Sequence, residues 1–363
     1  MSAPAIASSP LDRDIIRARV ESALHEFLDS KAESAAARRL PADVVHSVRS
    51  FLFAGGRRLR SQFCALGWYA GGGAGLPDEV VRAAAAIELF HAALLMHDDV
   101  VDDRDTRDDR PTVHRVVADR NHGVRGGQAA ERLGARAAIV IGDLGLVWAQ
   151  ELLHTSGLSP DRIHAATTVL DAMRTEVGYG RYLELVTAGR PTCDLEQAWE
   201  IVRYSCAASM VEGPLRLGAV LADAGPDVLQ SLSAYAHPLG EAARLQDELG
   251  DVFGDSRSGR TPTLRDLRDG RHTVLLVLAL RHTTPAQRDR LTDFIANPRP
   301  TEGDATLCRE ILDTTARFEV ERMIRDRRLR IHQVLTEARL PAQATAELDS
   351  IAEAILSRDA PQR

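Results

Sequence analysis

An apolar helical stretch that ends in a burst of carboxylates is the feature that most constrains this chain. Residues 88–102, ELFHAALLMHDDVVD, combine apolar residues at helical spacing with three aspartates. If the helix continues through the acids, Asp98 and Asp102 lie one turn apart on one face, with Asp99 about 100° around it. Carboxylates held this close repel one another unless a cation lies among them. Oxygen ligands without Cys or a His pair suit Mg²⁺, so this helix end is a candidate metal site.

A second acidic cluster follows much later in the chain. In residues 245–255, LQDELGDVFGD, Asp247 and Asp251 repeat the one-turn spacing and Glu248 stands between them. A lone acidic helix end is usually a solvated surface feature. Two such helices facing each other in a bundle would instead form a cage for metal ions and a diphosphate, which favours the functional interpretation.

Composition and periodicity favour an all-α fold. The 363 residues are 44% hydrophobic but only 4% aromatic, and apolar residues recur at helical spacing. We predict helices at residues 13–38, 41–53, 60–69, 78–102, 128–153, 160–186, 195–222, 226–252 and within 271–357. The polar segment 104–127 is predicted to be a loop with short helical pieces, and the polar segment 254–270 to be irregular. Each follows an acidic cluster, which indicates two mobile flaps over one site. The prediction is one large helical domain, residues 13–357, with flexible tails at 1–12 and 358–363.

Charge and cysteine usage exclude several classes of protein. The formal charge of −7 gives no electrostatic case for nucleic-acid binding. The chain has four scattered cysteines, Cys64, Cys193, Cys206 and Cys308. Their spacing fits neither a zinc site nor a disulfide framework, which indicates a reducing, cytoplasmic setting. No segment reaches about 18 uninterrupted apolar residues, so no membrane span is predicted, and residues 1–12 lack the apolar core of a signal peptide.

A glycine pair followed by arginines, GGRRLR at residues 55–60, supplies guanidiniums that match diphosphate oxygens bidentately. With this motif, the acidic helix end, RPTVH at 110–114 and DVFGD at 251–255, in this order and spacing, the chain resembles the trans-isoprenyl diphosphate synthase family, also called polyprenyl synthetases. The resemblance covers about residues 40 to 285. It implies an all-α bundle of the isoprenoid synthase type around a central cavity, usually in a homodimer. It also implies Mg²⁺-dependent condensation of isopentenyl diphosphate with an allylic diphosphate, with three metal ions around the bound diphosphate.

The resemblance gives roles to individual residues. The implied metal ligands are Asp98, Asp99, Asp102, Asp247 and Asp251, with Glu248 as a further candidate where a middle aspartate is usual. The residues that would hold isopentenyl diphosphate are Arg57, Arg60 and His91. A contact to the allylic diphosphate is implied for Arg107, and Arg244 is a further candidate at a position where glutamine is common in the family.

Two of the departures from the family pattern remove a positive charge. Asp108 stands where a second arginine usually binds isopentenyl diphosphate. A carboxylate there replaces attraction by repulsion, a difference of up to about a few kcal/mol. Ser205 likewise removes a positive charge where a lysine is usual. Lys31 is the only lysine in the chain, so replacement of Lys by Arg carries little information, but neither of these two changes is of that kind. We predict that the ionising half of the site is intact and the acceptor half is altered.

The length of the prenyl chain is predicted from the helix that precedes the first acidic cluster. Ala93, five residues before Asp98, is small where an aromatic residue would block a growing tail. Phe90, almost one turn deeper, would form a floor. This pattern predicts a pocket for a C15 to C20 chain. Ordinary core packing of the same two residues is the competing interpretation.

Three hypotheses for the function follow. The first is a Mg²⁺-dependent prenyltransferase that makes a C15 to C20 diphosphate (farnesyl or geranylgeranyl) from isopentenyl diphosphate. The second keeps the ionisation but changes the captor, either to a neutral acceptor such as an indole or other aromatic ring, or to the substrate's own double bond, as in a class I terpene cyclase. Asp108 motivates this alternative. The third, a non-catalytic partner subunit, is disfavoured because both acidic motifs keep their charge.

Overall fold

The computed structural model describes residues 12–254, 262–297 and 299–357. Apart from one two-stranded ribbon, every regular element in these ranges is helical, which confirms the all-α prediction. The chain forms two compact units. The first contains the described residues up to Trp68 together with Gly73–Ala165, and the second contains Tyr69–Gly72 and the described residues from Ala166 onward.

The first unit carries the glycine–arginine motif and the first acidic cluster. Its helices are α1 (Arg13–Ala37), α2 (Asp43–Leu52), α3 (Leu59–Ala70), α4 (Asp78–Val101), α5 (Val113–Arg125) and α6 (Gly127–His154). The ribbon of β1 (Thr106–Arg107) and β2 (Arg110–Pro111) connects α4 to α5. The helix α3 extends to the first residues of the second unit.

The second unit carries the second acidic cluster on a single long helix, α10 (Pro226–Phe253). Its elements are α7 (Pro160–Thr187, which begins in the first unit), α8 (Leu195–Val202), a first π-helical segment (Arg203–Glu212), α9 (Gly213–Leu221), α10 (Pro226–Phe253), α11 (Arg265–Arg268), α12 (Val274–His282), α13 (Pro285–Ala296), α14 (Glu302–Leu312), a second π-helical segment (Asp313–Arg317), α15 (Phe318–Glu337) and α16 (Ala342–Leu356). The helix α12 is buried from Val274 to Leu280 and forms much of the hydrophobic core around the second acidic cluster.

The helix α4 is buried along most of its length and ends at the acidic cluster. Asp78 and Glu79 in its first turn complement the positive end of the helix dipole. At its other end the backbone N–H of Asp102 still bonds the carbonyl of Asp98 at 2.8 Å. The predicted one-turn spacing of these two aspartates is therefore confirmed.

Small residues bring α4 and α6 close together. A Cβ on Gly145 would lie 2.9 Å from the Cβ of Ala93, and a Cβ on Gly142 would lie 2.3 Å from Nε2 of His97. Atoms at such distances would force the helices apart. The imidazole of His97 is 3.1 Å from the carbonyl oxygen of Ile139, so the two helices are also joined by a hydrogen bond.

Two helices of the first unit meet a length and composition test for crossing a membrane. They are α4 and α6, with mean hydropathies of 1.4 and 1.3 in their apolar windows. In α4, 72% of that window is buried inside the structure, as in the core helix of a globular protein, whereas in α6 the buried share is 39%.

Several boundaries differ from those predicted. The segment 104–127, predicted to be a loop with short helical pieces, contains the ribbon and α5, which is one helix of 13 residues. The predicted single helix 195–222 is divided by the first π-helical segment, and the stretch 271–357 contains separate helices. In the predicted flap 254–270, residues 255–261 lie outside the described residues, and the described part includes α11. Both predicted tails also lie outside them except Asp12, whose side chain caps α1.

Candidate active site

The first acidic cluster is held by arginines from the segment that follows α4. Asp99 is only 1% exposed, and its carboxylate accepts hydrogen bonds from Nε and Nη2 of Arg107 at 2.7–3.2 Å. Asp102, which follows the last residue of α4, accepts from Nε and Nη2 of Arg104 at 3.2 and 3.1 Å. Each guanidinium offsets the cost of placing a carboxylate out of water.

The donor chemistry of this cluster fits Mg²⁺. Asp98 and Asp102 provide carboxylate oxygens one turn apart, which are the ligands that a hard divalent cation prefers. In the part of the chain that the structure describes, no group of three or more His, Cys, Asp or Glu side chains converges closely enough to hold a metal ion. Arg104 forms an ion pair with Asp102, and Arg107 forms a bidentate ion pair with Asp99. A metal bound at the predicted ligand Asp99 would have to displace Arg107.

A cavity of about 430 Å³ lies beside the cluster within the first unit. It is formed by α2, the loop 55–60, α4, the ribbon and the start of α5. Six arginines line it: Arg57, Arg58, Arg60, Arg107, Arg110 and Arg120. The carboxylates in the lining are Glu88 and Asp108. The volume is that of a small-molecule site, and the excess of guanidiniums favours an anionic ligand. We refer to it as the arginine cavity.

The middle arginine of the GGRRLR motif is structural. Arg58 is buried, adopts a left-handed backbone with φ of 52°, and donates from Nη2 to the carbonyl of Leu52. Its Nε lies 3.4 Å from the carboxylate of Glu21 on α1. The buried carboxylate of Glu88 accepts the backbone N–H of Ser61 at 2.9 Å and so fixes the start of α3. The loop is thereby fixed around Arg57 and Arg60, which were the two arginines predicted to bind isopentenyl diphosphate.

His91 contributes a neutral imidazole to the arginine cavity. Burial lowers its pKa well below the ordinary histidine value, and the nearby charges of Arg60, Arg107 and Arg58 lower it further. At neutral pH the ring therefore offers one N–H donor and one acceptor and no charge. His91 lines the same cavity as Arg57 and Arg60, the other two residues to which the resemblance assigns isopentenyl diphosphate.

Asp108 lies at the tip of the ribbon and in the lining of the arginine cavity. Asp108 and Asp109 form its two-residue turn, with φ of 48° and 59°. Two left-handed residues in a two-residue hairpin are typical of a type I′ turn, and aspartate is among the few non-glycine residues that adopt this conformation readily. The altered charge noted in the sequence therefore faces the cavity that contains Arg57 and Arg60.

The second acidic cluster lies on α10 in the second unit, where Glu248 and Asp251 accept hydrogen bonds from the segment that follows the helix. Glu248, 2% exposed, accepts the backbone N–H of Leu275 at 3.0 Å and Nε of Arg244 at 3.2 Å. Burial raises the pKa of Glu248 to about 7. Asp251 accepts the backbone N–H of Asp266 at 2.9 Å and the hydroxyl of Thr263, so it fixes the segment that leads into α11. Asp247 lies on α10 and is partly exposed.

Arg244 is held by two carboxylates. Besides Glu248 it contacts Asp266, whose Oδ2 lies 2.9 Å from Nη2 of the arginine. Asp266 also lies 3.5 Å from Nε of Arg271, which in turn is 3.5 Å from Asp269. Sequence reasoning missed Asp266 and Arg271. The alternating charges of residues 265–271, RDLRDGR, were the signal that could have identified them.

The remaining predicted site residues lie in packed positions. Ala93 is fully buried and packs against Gly145 of α6, and it is absent from the lining of the arginine cavity. Phe90 is also buried on α4. Burial of both residues fits core packing and also the wall of the predicted chain-length pocket. Ser205 lies in the first π-helical segment, where its hydroxyl donates to the carbonyl of Ile201 at 2.7 Å.

An all-α fold with an acidic helix end beside an arginine-lined cavity is the arrangement expected of an enzyme of the isoprenoid synthase class. The model of the Polyprenyl synthetase family matches residues 42–312. The chain therefore belongs to the polyprenyl synthetase family and is a prenyltransferase of the isoprenyl diphosphate synthase type, which confirms the resemblance seen in the sequence.

Relatives and solved structures agree with this assignment. A geranylgeranyl pyrophosphate synthase from Corynebacterium glutamicum, solved with isoprenyl diphosphate and magnesium, superposes with a TM-score of 0.87 at 31% identity, covering 95% of this chain and 98% of that one. A short chain isoprenyl diphosphate synthase of Methanocaldococcus jannaschii is 27% identical over 74% of this chain and 76% of its own length. The octaprenyl diphosphate synthase of Escherichia coli is 28% identical over 66% of this chain and 67% of its own.

Proposed function

We propose that this protein elongates an allylic prenyl diphosphate with isopentenyl diphosphate, releasing pyrophosphate and giving a C15 to C20 prenyl diphosphate. The observation that carries the proposal is the arginine cavity directly beside the acidic end of α4. In the reaction the allylic carbon–oxygen bond breaks and a carbon–carbon bond forms to the alkene of isopentenyl diphosphate, which then loses a proton. Relatives that make geranylgeranyl and geranylfarnesyl diphosphate support the elongation.

We propose Mg²⁺ as the cofactor. Bound Mg²⁺ would neutralise the charge that develops on the departing pyrophosphate. Asp98 and Asp102 are the residues of the first unit best placed to hold it, and Asp247 and Asp251 are the candidates in the second unit. The magnesium bound by the Corynebacterium enzyme supports this choice.

The chain's own side chains have distinct roles in the proposal. Arg107, already oriented by Asp99, contacts the allylic diphosphate. Arg57 and Arg60 hold the diphosphate of the acceptor, and the neutral imidazole of His91 donates a hydrogen bond to it. Arg244 is retained as a candidate for the allylic diphosphate in the second unit, with Glu248 and Asp266 fixing its guanidinium.

Asp108 supports one alternative. Its carboxylate in the cavity lining weakens the binding of an acceptor diphosphate by repulsion. This favours a neutral acceptor such as indole, or capture of the cation by the substrate's own double bond. A non-catalytic subunit is less favoured because the acidic cluster on α4 is intact and paired to ordered arginines.

The test incubates the purified protein and Mg²⁺ with geranyl, farnesyl or geranylgeranyl diphosphate in three conditions: with isopentenyl diphosphate, with indole, and alone. Pyrophosphate release and the organic products are both measured. Elongation supports the proposal, a prenylated indole or a cyclic hydrocarbon supports the alternative, and no release from any substrate supports the partner subunit.

Substitution of the first cluster makes a prediction for the same assay. Asp98→Asn and Asp102→Asn should each reduce the rate of pyrophosphate release by about a hundredfold or more, because each removes a carboxylate from the proposed metal site. Asp119→Asn, an exposed aspartate on α5, is the matched control. Equal rates for the three variants would contradict the assignment of the metal site.

We also propose a reducing, cytoplasmic setting. The described cysteines Cys64, Cys193 and Cys308 are free thiols. Burial raises the pKa of Cys64 to about 12 and that of Cys308 to about 11, so both are thiols rather than reactive thiolates at neutral pH.

A further inference from the structure

Two arginines of the cavity have no role in the assignments made so far. Arg110 is the first residue of β2, and Arg120 lies on α5. Both line the arginine cavity, and neither side chain forms a hydrogen bond or ion pair with another residue that the structure describes. They differ in this from Arg107 and Arg58, whose guanidiniums are engaged by Asp99 and Glu21.

The register of the ribbon places Arg110 beside Arg107. The two residues are directly paired across the antiparallel strands, so their side chains lie on the same face of the ribbon. Like charges in directly paired positions repel each other. Asp99 neutralises Arg107, but within the described residues Arg110 has no such partner. An anion bound at this face would relieve the repulsion.

Asp108 does not reverse the sign of the cavity. It contributes one carboxylate to a lining that holds six arginines, and the buried Glu88 is already occupied by the backbone N–H of Ser61. The turn residue is preceded by Arg107 and followed two positions later by Arg110, which places cations on both sides of it in the sequence. The replacement of arginine by Asp108 therefore lowers the positive charge of the cavity but leaves an excess of positive charge in it.

The shape and chemistry of the cavity fit a diphosphate with a short apolar tail. Guanidiniums bind phosphate oxygens through paired N–H donors. Apolar side chains complete the lining, among them Ala92, Leu95, Val113 and Val116. We propose that Arg110 and Arg120 bind the diphosphate of the acceptor and take over the role of the arginine that Asp108 replaces. This inference rests on the proposed function and predicts that isopentenyl diphosphate remains the acceptor.

The test measures binding separately from catalysis. Isothermal titration calorimetry with isopentenyl diphosphate, without metal or allylic substrate, compares the wild type with Arg110→Ala, Arg120→Ala and Arg110→Lys. Arg125→Ala, an exposed arginine at the end of α5 outside the cavity, is the matched control. Each alanine variant should bind about tenfold more weakly or worse, because it loses charge-assisted hydrogen bonds. The affinity of Arg110→Lys should lie between those of the wild type and Arg110→Ala, since lysine keeps the charge but loses the paired donors.

Kinetics provide the second measurement. The alanine variants should raise KM for isopentenyl diphosphate while KM for the allylic substrate stays within about twofold of wild type, which a general loss of folding would not produce. If elongation occurs but both variants bind like Arg125→Ala, the inference is overturned and the proposed function stands. If isopentenyl diphosphate binds through Arg110 and Arg120 but is not elongated, the proposed function fails and the binding site stands. Absence of binding by the wild type overturns the inference.

Discussion

At the residue scale, the carboxylate of Asp108 is the charge expected to weaken binding of an acceptor diphosphate in the arginine cavity. It lines the arginine cavity, whereas its neighbour Asp109 shares the same turn but is absent from the lining. Both residues have left-handed backbones, which asparagine also adopts readily. Replacement of each aspartate by asparagine therefore removes a charge without changing the turn.

Asp108→Asn should lower KM for isopentenyl diphosphate by about three- to tenfold. The reason is that it removes a repulsion between the carboxylate and the diphosphate of about 1 kcal/mol at high effective dielectric. Steady-state kinetics with a saturating allylic substrate measure the change. Asp109→Asn serves as the control and should leave KM near the wild-type value. A KM that responds equally to both variants would mean that the overall charge of the ribbon, and not the position of Asp108, controls the acceptor.

At the element scale, α5 is a helix because of what it packs against. Its sequence is polar, and the segment was predicted to be a loop with short helical pieces and not one continuous helix. In the structure α5 lies against α6, where a Cβ on Gly134 would be 2.2 Å from the carbonyl oxygen of His114. Packing of this kind supplies helical stability that local propensity does not.

Gly134→Ala should destabilise the protein by about 1–3 kcal/mol, because the added methyl group meets backbone rather than a movable side-chain end. Urea denaturation measures the free energy of unfolding. Gly123→Ala on α5 is the matched control, since a Cβ there has no neighbour within 4 Å. It should be neutral or stabilise the helix by up to about 1 kcal/mol. Equal effects would show that the close approach of α6 to α5 is absent in solution.

A hydrogen-bonded pair joins α10 to the first π-helical segment and should make stability depend on pH. Nε2 of His237 lies 2.8 Å from the carboxylate of Glu212, which also accepts from the hydroxyl of Ser233 at 2.7 Å. The hydrogen bond that His237 donates to Glu212 raises the pKa of His237, although burial opposes it. Burial would raise the pKa of Glu212, but the hydrogen bonds from His237 and Ser233 outweigh it and lower the pKa.

Because the folded-state pKa of His237 is raised, its contribution to stability is complete below the unfolded value of about 6.5 and is lost as pH rises through the folded value. The urea midpoint of the wild type should therefore fall more between pH 6 and 8.5 than that of His237→Gln. The lowered pKa of Glu212 acts in the other direction at acidic pH, where its contribution is lost below its unfolded value of about 4.3. Parallel profiles for wild type and His237→Gln would contradict the role of the pair.

At the scale of the whole molecule, the sequence predicted what depends on local spacing. The all-α class, the extent of α4 and the one-turn separation of Asp98 and Asp102 follow from helical periodicity. The partners of the acids could not be predicted in this way. Arg107 reaches Asp99 from eight residues away, and Asp266 reaches Asp251 from fifteen, so both contacts depend on the path of the chain after the helix ends.

The exposed apolar face of α6 leads to a prediction about assembly. Val140 and Val147 lie seven residues apart on one face of this helix and are 56% and 60% exposed, with Ile139 beside them. Burying such a face would contribute about 25 cal/mol per Å² of apolar area. We propose that two copies of the chain associate through α6, as the homodimer of the family implies. The double variant Val140→Asp/Val147→Asp should then be monomeric, because two charges would be buried in each copy's half of the interface.

Size-exclusion chromatography with light scattering, at micromolar protein, gives the molar mass of each variant. The wild type should have a mass near twice the 39.6 kDa of the chain, and the double variant a mass near one chain. Val124→Asp is the control, since Val124 is 87% exposed on α5 and lies outside this face. It should stay dimeric. A wild type that is monomeric, or a double variant that keeps the mass of the wild type, would show that α6 does not form the interface, whereas loss of the dimer in the Val124→Asp control would assign the interface to α5.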